Sequence, residues 1–316
     1  GNTSLLSSSP TFTAQVGGAP VVSTIVDSEP KPWTKSTSDT ISVTATSTNS
    51  TVSSVEIYDN GKDAGAATLT NGTWVRTVTG LTDGVHSFSA VATDALGKSS
   101  TSLATVVDQV DTTGPTIGSP SQNASGAWTK SNSDTITVAA SDGGSGIASV
   151  HIYDGQSDLG AATLTNGSYV LTANGLSDGA HVFTAKATDN AGNTTTAAGS
   201  VTDLVDHSGA PTLGAISETT LGKNGEYGQF KFDVSNLVGG QVGPNIGHVT
   251  YWTDQSATAT QAPTSGWHWA NLSLDSKGMG TETLTLNDTG HIGDYLHVQA
   301  VDTLGNASAI GTKKIV

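Results

Sequence analysis

The sequence predicts an all-β chain of tandem antiparallel sandwiches. Three observations predict it: a composition hostile to helices, an internal repeat of 95 residues without gaps, and short segments in which apolar and polar residues alternate within each copy. Ser, Thr, Gly, Asn and Val dominate, while Leu, Glu, Lys and Arg are scarce. Glycine and β-branched residues disfavour helix, and β-branched side chains pack well on a pleated surface. A disordered chain would share the polarity but not the alternation.

The chain has 316 residues, 12 Lys and Arg against 27 Asp and Glu, and a net charge of −15. With no basic face, nucleic acid and anionic lipid are poor partners. No apolar run approaches the ~20 residues that span a bilayer, so no membrane insertion is expected. The absence of cysteine excludes a disulfide framework and a thiolate nucleophile or metal site. The acidic surplus fits cation binding or solubility. The chain opens Gly1-Asn2-Thr3 and its one methionine is Met279, so it reads as a segment of a longer protein.

The repeat is explicit. Trp33-Thr34-Lys35-Ser36 recurs as Trp128-Thr129-Lys130-Ser131, and Ile57-Tyr58-Asp59 as Ile152-Tyr153-Asp154. The octet from Gly65 to Gly72 recurs unchanged from Gly160 to Gly167, and Ala92-Thr93-Asp94 recurs as Ala187-Thr188-Asp189. A constant register means one copied unit, and repeats set the architecture. A third, distant copy shows in Ala300-Val301-Asp302-Thr303-Leu304-Gly305-Asn306, while its upstream part has longer loops and more tryptophan. Residues 1–19 read as an N-terminal segment or the tail of a preceding repeat, 20–111 as the first repeat, 112–206 as the second and 207–316 as a divergent third domain.

Strands follow in order by period two. Asp39 to Ala45 alternates, and Ser53 to Tyr58 makes the next strand. Asn71-Gly72, between Ala67-Thr68-Leu69 and Trp74-Val75, is a two-residue hairpin signal because both residues tolerate positive φ. Gly84 to Thr93 is a long alternating strand, and Ser99 to Val107 follows it. About seven strands with turns every ~8–12 residues indicate an immunoglobulin-like sandwich, and a copy of this length can bury enough core to fold unaided. The expected architecture is three tandem immunoglobulin-like antiparallel β-sandwiches in an extended rod.

The composite of Asn71-Gly72-Thr73-Trp74, Leu81-Thr82-Asp83-Gly84-Val85-His86, Ala92-Thr93-Asp94-Ala95-Leu96-Gly97 and Val110-Asp111-Thr112-Thr113-Gly114-Pro115 resembles the bacterial immunoglobulin-like repeats of giant cell-surface adhesins. The resemblance covers residues 20–209 well and 210–316 weakly. It implies an extracellular location, at the bacterial surface or secreted, a stalk role, and calcium that stiffens the junctions. It also implies a host or surface receptor, a glycan among the candidates, and neighbouring repeats of the same chain as partners of a monomer. Val16 stands where Asp111 and Asp206 stand, so the entry to the first repeat departs from the pattern.

Acids mark the candidate sites. In such a sandwich the incoming chain meets the pole that carries the B–C and F–G loops. Asp108 and Asp111 of the first join should therefore lie over Asp142, in Ser141-Asp142-Gly143-Gly144-Ser145-Gly146-Ile147, and Asp189, in Asp189-Asn190-Ala191-Gly192-Asn193. Four converging carboxylates would repel, and Ca²⁺, a hard cation that takes six to eight oxygens, would relieve the repulsion. Carbonyls of Gly143, Gly144 and Gly192 could add ligands. The second join offers Asp206 and Asp302, with Asp178 from an adjoining loop and Asn236 and Asn245 in place of a B–C loop acid. The competing reading is that Asp94, Asp189 and Asp302 cap turns through their own side chains. No EF-hand spacing is present.

Other features carry less. His86 and His181 share a repeat position and read as structural, and His291 and His297 have no evident partner in sequence. Trp267 and Trp269 alternate with His268, so both indoles should face one side; with Trp252 they would form a sugar-stacking platform if outward and core if inward. No nucleophile elbow, phosphate loop or zinc-binding histidine motif occurs, and single acids on loops with few glutamates argue against a glycosidase pair. The function expected is that of a non-catalytic adhesin segment. Two alternatives are a glycan-binding head in the third domain, or accessory modules of a secreted polysaccharide-acting enzyme.

Overall fold

A computed structural model describes residues 18–28, 32–48, 50–123, 126–207, 209–220, 228–238, 241–259, 268–270, 275–286 and 294–315. Its regular structure among these is β-strand throughout, almost all of it paired antiparallel. Among the described residues, no helix is long and apolar enough to cross a membrane. The chain forms two compact units. The first comprises Gly1–Thr116 with the loops Ser141–Ala148 and Ala187–Thr195; the second comprises Ile117–Ala140, Ser149–Lys186 and Thr196–Val316.

In the first unit the strands are β1 (Val21–Val26), β2 (Ser38–Thr46), β3 (Val52–Asp59), β4 (Lys62–Ala66), β5 (Thr68–Thr70), β6 (Thr73–Thr79), β7 (Gly84–Asp94), β8 (Ser99–Thr101) and β9 (Val106–Val110). One sheet has the order β1-β2-β6-β5; the other has the order β4-β3-β7, with β8 and β9 both pairing β7. The two sheets enclose Ile41, Val43, Val55, Ile57, Phe88, Ala90, Ala92 and Val110. This is the immunoglobulin-like sandwich expected from the alternation. The β5–β6 hairpin turns at Asn71 and Gly72 with φ of 50° and 85°, the left-handed pair that a two-residue turn requires.

The segment expected as one strand from Ser99 to Val107 is instead two, β8 and β9, and β9 runs on to Val110. That shift decides where Asp108 goes. On β9 the buried positions are Asp108 and Val110, so Asp108 points inward with the core rather than out at the join. The same phase applies on β2, where Asp39 is in step with Ile41 and Val43, and on β7, where His86 is in step with Phe88 and Ala90.

The second unit repeats the pattern. Ser133–Val138 buries Asp134, Ile136 and Val138, and Val201–Val205 buries Asp203 and Val205. In its C-terminal part, Gly228–Ser235 and Met279–Leu286 pair along their full length, and Ile246–Asp254 pairs Tyr295–Asp302. Phe230, Phe232, Val249, Leu296, Val298 and Ile315 form the core there.

Candidate metal centre at the first join

Asp111 follows β9 and is 1% exposed. Its amide donates to the Thr34 carbonyl at 2.9 Å, which ties the start of the join to the first sandwich. Its carboxylate accepts the Ser145 amide at 2.7 Å through Oδ2 and the Thr113 amide at 3.1 Å through Oδ1. Asp142 Oδ1 accepts the Gly144 and Gly146 amides at 3.1 and 2.7 Å. Asp189 Oδ1 accepts the Asn193 amide, and its Oδ2 the Asn193 side-chain amide, both at 2.8 Å. One carboxylate oxygen from each of Asp111, Asp142 and Asp189 lies within 4.8 Å of the other two. Two ligands on opposite sides of a calcium ion are up to ~5 Å apart, so one ion can touch all three oxygens. Each carboxylate oxygen has two lone pairs, and the amide contacts leave capacity for an ion. Among the described residues this is the one cluster of three such groups.

Glycine makes the approach possible. A Cβ on Gly144 would sit 2.6 Å from the Asp111 carboxylate, so any side chain there would push the acid away. Gly146 and Gly192 adopt positive φ, 80° and 91°. The Gly192 carbonyl, expected as a ligand, instead accepts Lys35 Nζ at 3.1 Å. That contact adds a cationic tether from the first sandwich to the loop.

Asp108 is corrected: it lies in β9, 1% exposed, apart from this cluster. The turn-cap reading of Asp94, Asp189 and Asp302 holds as well. Asp94 Oδ1 accepts the amides of Leu96 and Lys98, and Asp302 Oδ1 those of Leu304 and Asn306. Capping and ligation are compatible, because the backbone caps fall on Oδ1 of each acid, and the Oδ2 atoms, although Asn193 and Asn306 side chains reach those of Asp189 and Asp302, keep a second lone pair.

In the second unit, Asp206 is fully buried. Burial, ahead of the neighbouring charges of Asp302 and Asp178, raises its pKa against the lowering pull of the Gly209 amide and Asn306. Asn306 Nδ2 bridges the two acids, donating to Asp206 Oδ2 at 3.2 Å and Asp302 Oδ2 at 3.0 Å. Asn236 is 1% exposed; its Nδ2 donates to the Pro244 carbonyl, and its Oδ1 is buried with no hydrogen-bond partner. A buried acceptor left open fits a cation at this join too. Asp178 is drawn off by His207, whose amide and Nδ1 meet its Oδ1 at 2.9 and 2.6 Å.

The tryptophan platform does not form as expected. Trp252 is 5% exposed and stacks on His297, with ring centroids 5.2 Å apart, so it offers no face to a sugar. Trp267 lies outside the described residues, and Trp269 is described only as strand backbone. His297 does have partners: Nε2 meets Asp254 Oδ1 and Nδ1 meets Thr312 Oγ1, both at 3.0 Å. His291 and Val16 lie outside the described residues.

His86 and His181 are structural in a specific way. His86 Nδ1 lies 2.7 Å from Asp59 Oδ2, and Nε2 lies 2.8 Å from the Thr82 carbonyl. His181 repeats this with Asp154 at 2.6 Å and the Ser177 carbonyl at 2.8 Å. A carbonyl and a carboxylate only accept, so this arrangement favours the imidazolium, the form in which both ring nitrogens donate. Burial pulls the His86 pKa down, but the Thr82 carbonyl and Asp59 outweigh it and the net shift is upward.

Comparison with known proteins bears on the second copy. Residues 118–206 match the family model of the bacterial Ig-like domain. The family read from the sequence motifs holds over that stretch, and the bacterial Ig-like match contains Asp142 and Asp189. No curated protein matches the chain. Among solved structures, the chain is similar to the Escherichia coli adhesin FdeC at 18% identity, covering 95% of this chain and 99% of that one with a TM-score of 0.42. A 1.5-MDa bacterial ice-binding adhesin is 16% identical, with 94% and 98% covered and a TM-score of 0.36. Fibronectin(III)-like modules of Clostridium thermocellum CbhA are 21% identical, with 58% and 94% covered and a TM-score of 0.37. The assignment of the sandwich rests on the strand pairing itself rather than on these scores.

Proposed function

We propose that this chain is a non-catalytic, extracellular segment of a large bacterial surface adhesin, a stalk whose joins are stiffened by calcium. The observation that carries the reading is the convergence of Asp111, from the join, with Asp142 and Asp189, from two loops of the next sandwich. An ion held by all three would tie the join to both loops. Bending there would break ion–oxygen bonds, which loop hydrogen bonds alone resist far less. The bacterial Ig-like match over residues 118–206 supports the surface role, and the all-oxygen donor set supports a hard cation. At the second join, Asp206, Asp302 and Asn236 Oδ1 would serve the same end with one carboxylate fewer.

The test is calorimetric titration of calcium into residues 1–316 and into Asp142→Asn. We expect binding that D142N weakens at least tenfold at one site, with melting temperature raised by calcium in the parent chain. Binding unchanged by D142N would overturn the assignment.

A further inference from the structure

The first sandwich holds a cleft of about 320 Å³, at the small end of the range for ligand sites, and the join makes no use of it. Lys62, Asp63, Arg76, Thr79, Leu81 and Thr82 are among the residues that line it. Arg76 is the one arginine of a chain whose net charge is −15. A cleft that gathers this arginine and a lysine runs against the charge of the molecule around it.

Arg76 lies on β6 and reaches the edge of the other sheet. Its Nε donates to the Ala64 carbonyl of β4 at 3.1 Å, its one hydrogen bond among the described residues. The guanidinium rests against Gly65, where a Cβ would stand 3.0 Å from Nη2. The two terminal amino groups keep four N–H donors in a planar fork. Neither Arg76 nor Lys62 forms an ion pair among the described residues. Asp63 accepts the Gly65 amide at 2.7 Å through Oδ1, which leaves Oδ2 open as an acceptor. His86 and Asp59 are taken up with each other.

The second repeat shows what the fold itself requires here. The pairing of β2 with β6 and of β3 with β4 keeps the same register in Ser133–Val138 with Ser168–Asn174 and in Ile147–Asp154 with Ser157–Ala161. Yet Arg76 becomes Leu171 and Lys62 becomes Ser157, while Asp59, Asp63, Leu81 and His86 keep their counterparts. Asp158, the counterpart of Asp63, pairs with His151, and Glu56 holds that position in the first repeat. The sandwich therefore forms without the two cations, and in the first repeat the acid beside them has no cationic partner of its own.

An arginine fork with open N–H groups matches a planar carboxylate through two parallel hydrogen bonds, and a lysine adds charge. Asp63 would repel a second anionic group but accepts from a hydroxyl. Thr79 and Thr82 add hydroxyls, and the buried Val78 and Leu81 add apolar surface. Donors for one carboxylate, acceptors for hydroxyls and a small apolar surface describe a hydroxylated carboxylic acid the size of one sugar ring. We propose that this cleft binds a uronic acid sugar, with Arg76 holding its carboxylate and Asp63 one of its hydroxyls. The site lies within the first sandwich and is independent of calcium at the join, so a stalk repeat would also carry a sugar contact on its side.

The experiment is an amide-shift titration by NMR of residues 1–316 with D-glucuronate, D-glucose and sulfate, on the parent chain, Arg76→Leu and Arg76→Lys, in calcium-free buffer. Leucine is the residue that the second repeat carries at this position, so R76L should fold, and an unchanged melting temperature checks it. We expect glucuronate to shift the amides around Lys62, Gly65 and Arg76 saturably. R76L should weaken that binding by at least about tenfold, the loss of charge-assisted hydrogen bonds. R76K keeps the charge without the fork and should fall between. Glucose and sulfate should bind much more weakly than glucuronate in the parent chain. Absence of saturable shifts in the parent chain, equal affinity in R76L, or sulfate binding as tightly as glucuronate would each overturn the proposal. D142N should bind glucuronate as the parent does, so failure here and failure at the join are distinguishable.

Discussion

Replacing His86 by glutamine tests the buried imidazolium directly. The substitution removes a cation that is about nine-tenths buried, and it leaves Asp59, whose side chain is 21% exposed, without its counter-charge. Removing one partner of a fully buried pair costs ~3–5 kcal/mol. Solvent reaches Asp59, so a smaller loss of about 2–3 kcal/mol is expected, near the value of one charge-assisted hydrogen bond. For a unit of ~100 residues this lowers the melting temperature by roughly 10–20 °C. The sign of the pH dependence follows from the raised pKa. A histidine whose folded pKa lies above its unfolded value of 6.5 contributes fully below that value, and the contribution fades as pH rises through the folded pKa. The gap between the parent chain and H86Q should therefore be full at pH 5.5 and shrink by pH 9. Melting curves by circular dichroism at four pH values provide the assay. A gap independent of pH would refute the charged ring and leave only packing against Phe88, whose ring centroid lies 6.3 Å away.

Three further outcomes are expected. Gly144→Ala places a methyl group 2.6 Å from the Asp111 carboxylate; it should cost about 1–3 kcal/mol by overpacking and weaken calcium binding at the join, read by melting and by titration. Gly167→Ala forces a side chain onto a turn residue with φ of 85° and should destabilise its hairpin by roughly 1–2 kcal/mol, measured by denaturant midpoint with an unchanged slope. Phe183→Ala empties the centre of the second repeat's core, where Phe183 is fully buried, and should cost about 3–5 kcal/mol, visible as a drop in the midpoint of one transition.

The fold was legible because period two and a copied register both speak about local structure. Asn71-Gly72 announced its hairpin, and Ile41 and Val43 announced their inward face. The join cluster was legible for the same reason: Asp142 and Asp189 sit in glycine-rich loops whose pole follows from strand order. Asp108 was not, because its role turns on where the last strand ends, and the break between Thr101 and Val106 has no marker of its own. The buried acids did leave a signal. Asp39 is in phase with Ile41 and Val43, and the same phase recurs at Asp134, so an acid on the core face could have been read by continuing the alternation one step back. The bond from His86 to Asp59 could not, since Asp59 ends a separate strand, 27 residues away in sequence, whereas Thr82 lies only four residues upstream.

Stiffening of the join by calcium is tested by small-angle scattering of residues 1–316 with calcium and with chelator. A stiffened join gives a longer, narrower distance distribution with calcium and a broader, more bent ensemble after chelation, with D142N behaving as the chelated chain in either buffer. Superimposable profiles in the two buffers, with calcium bound, would contradict it.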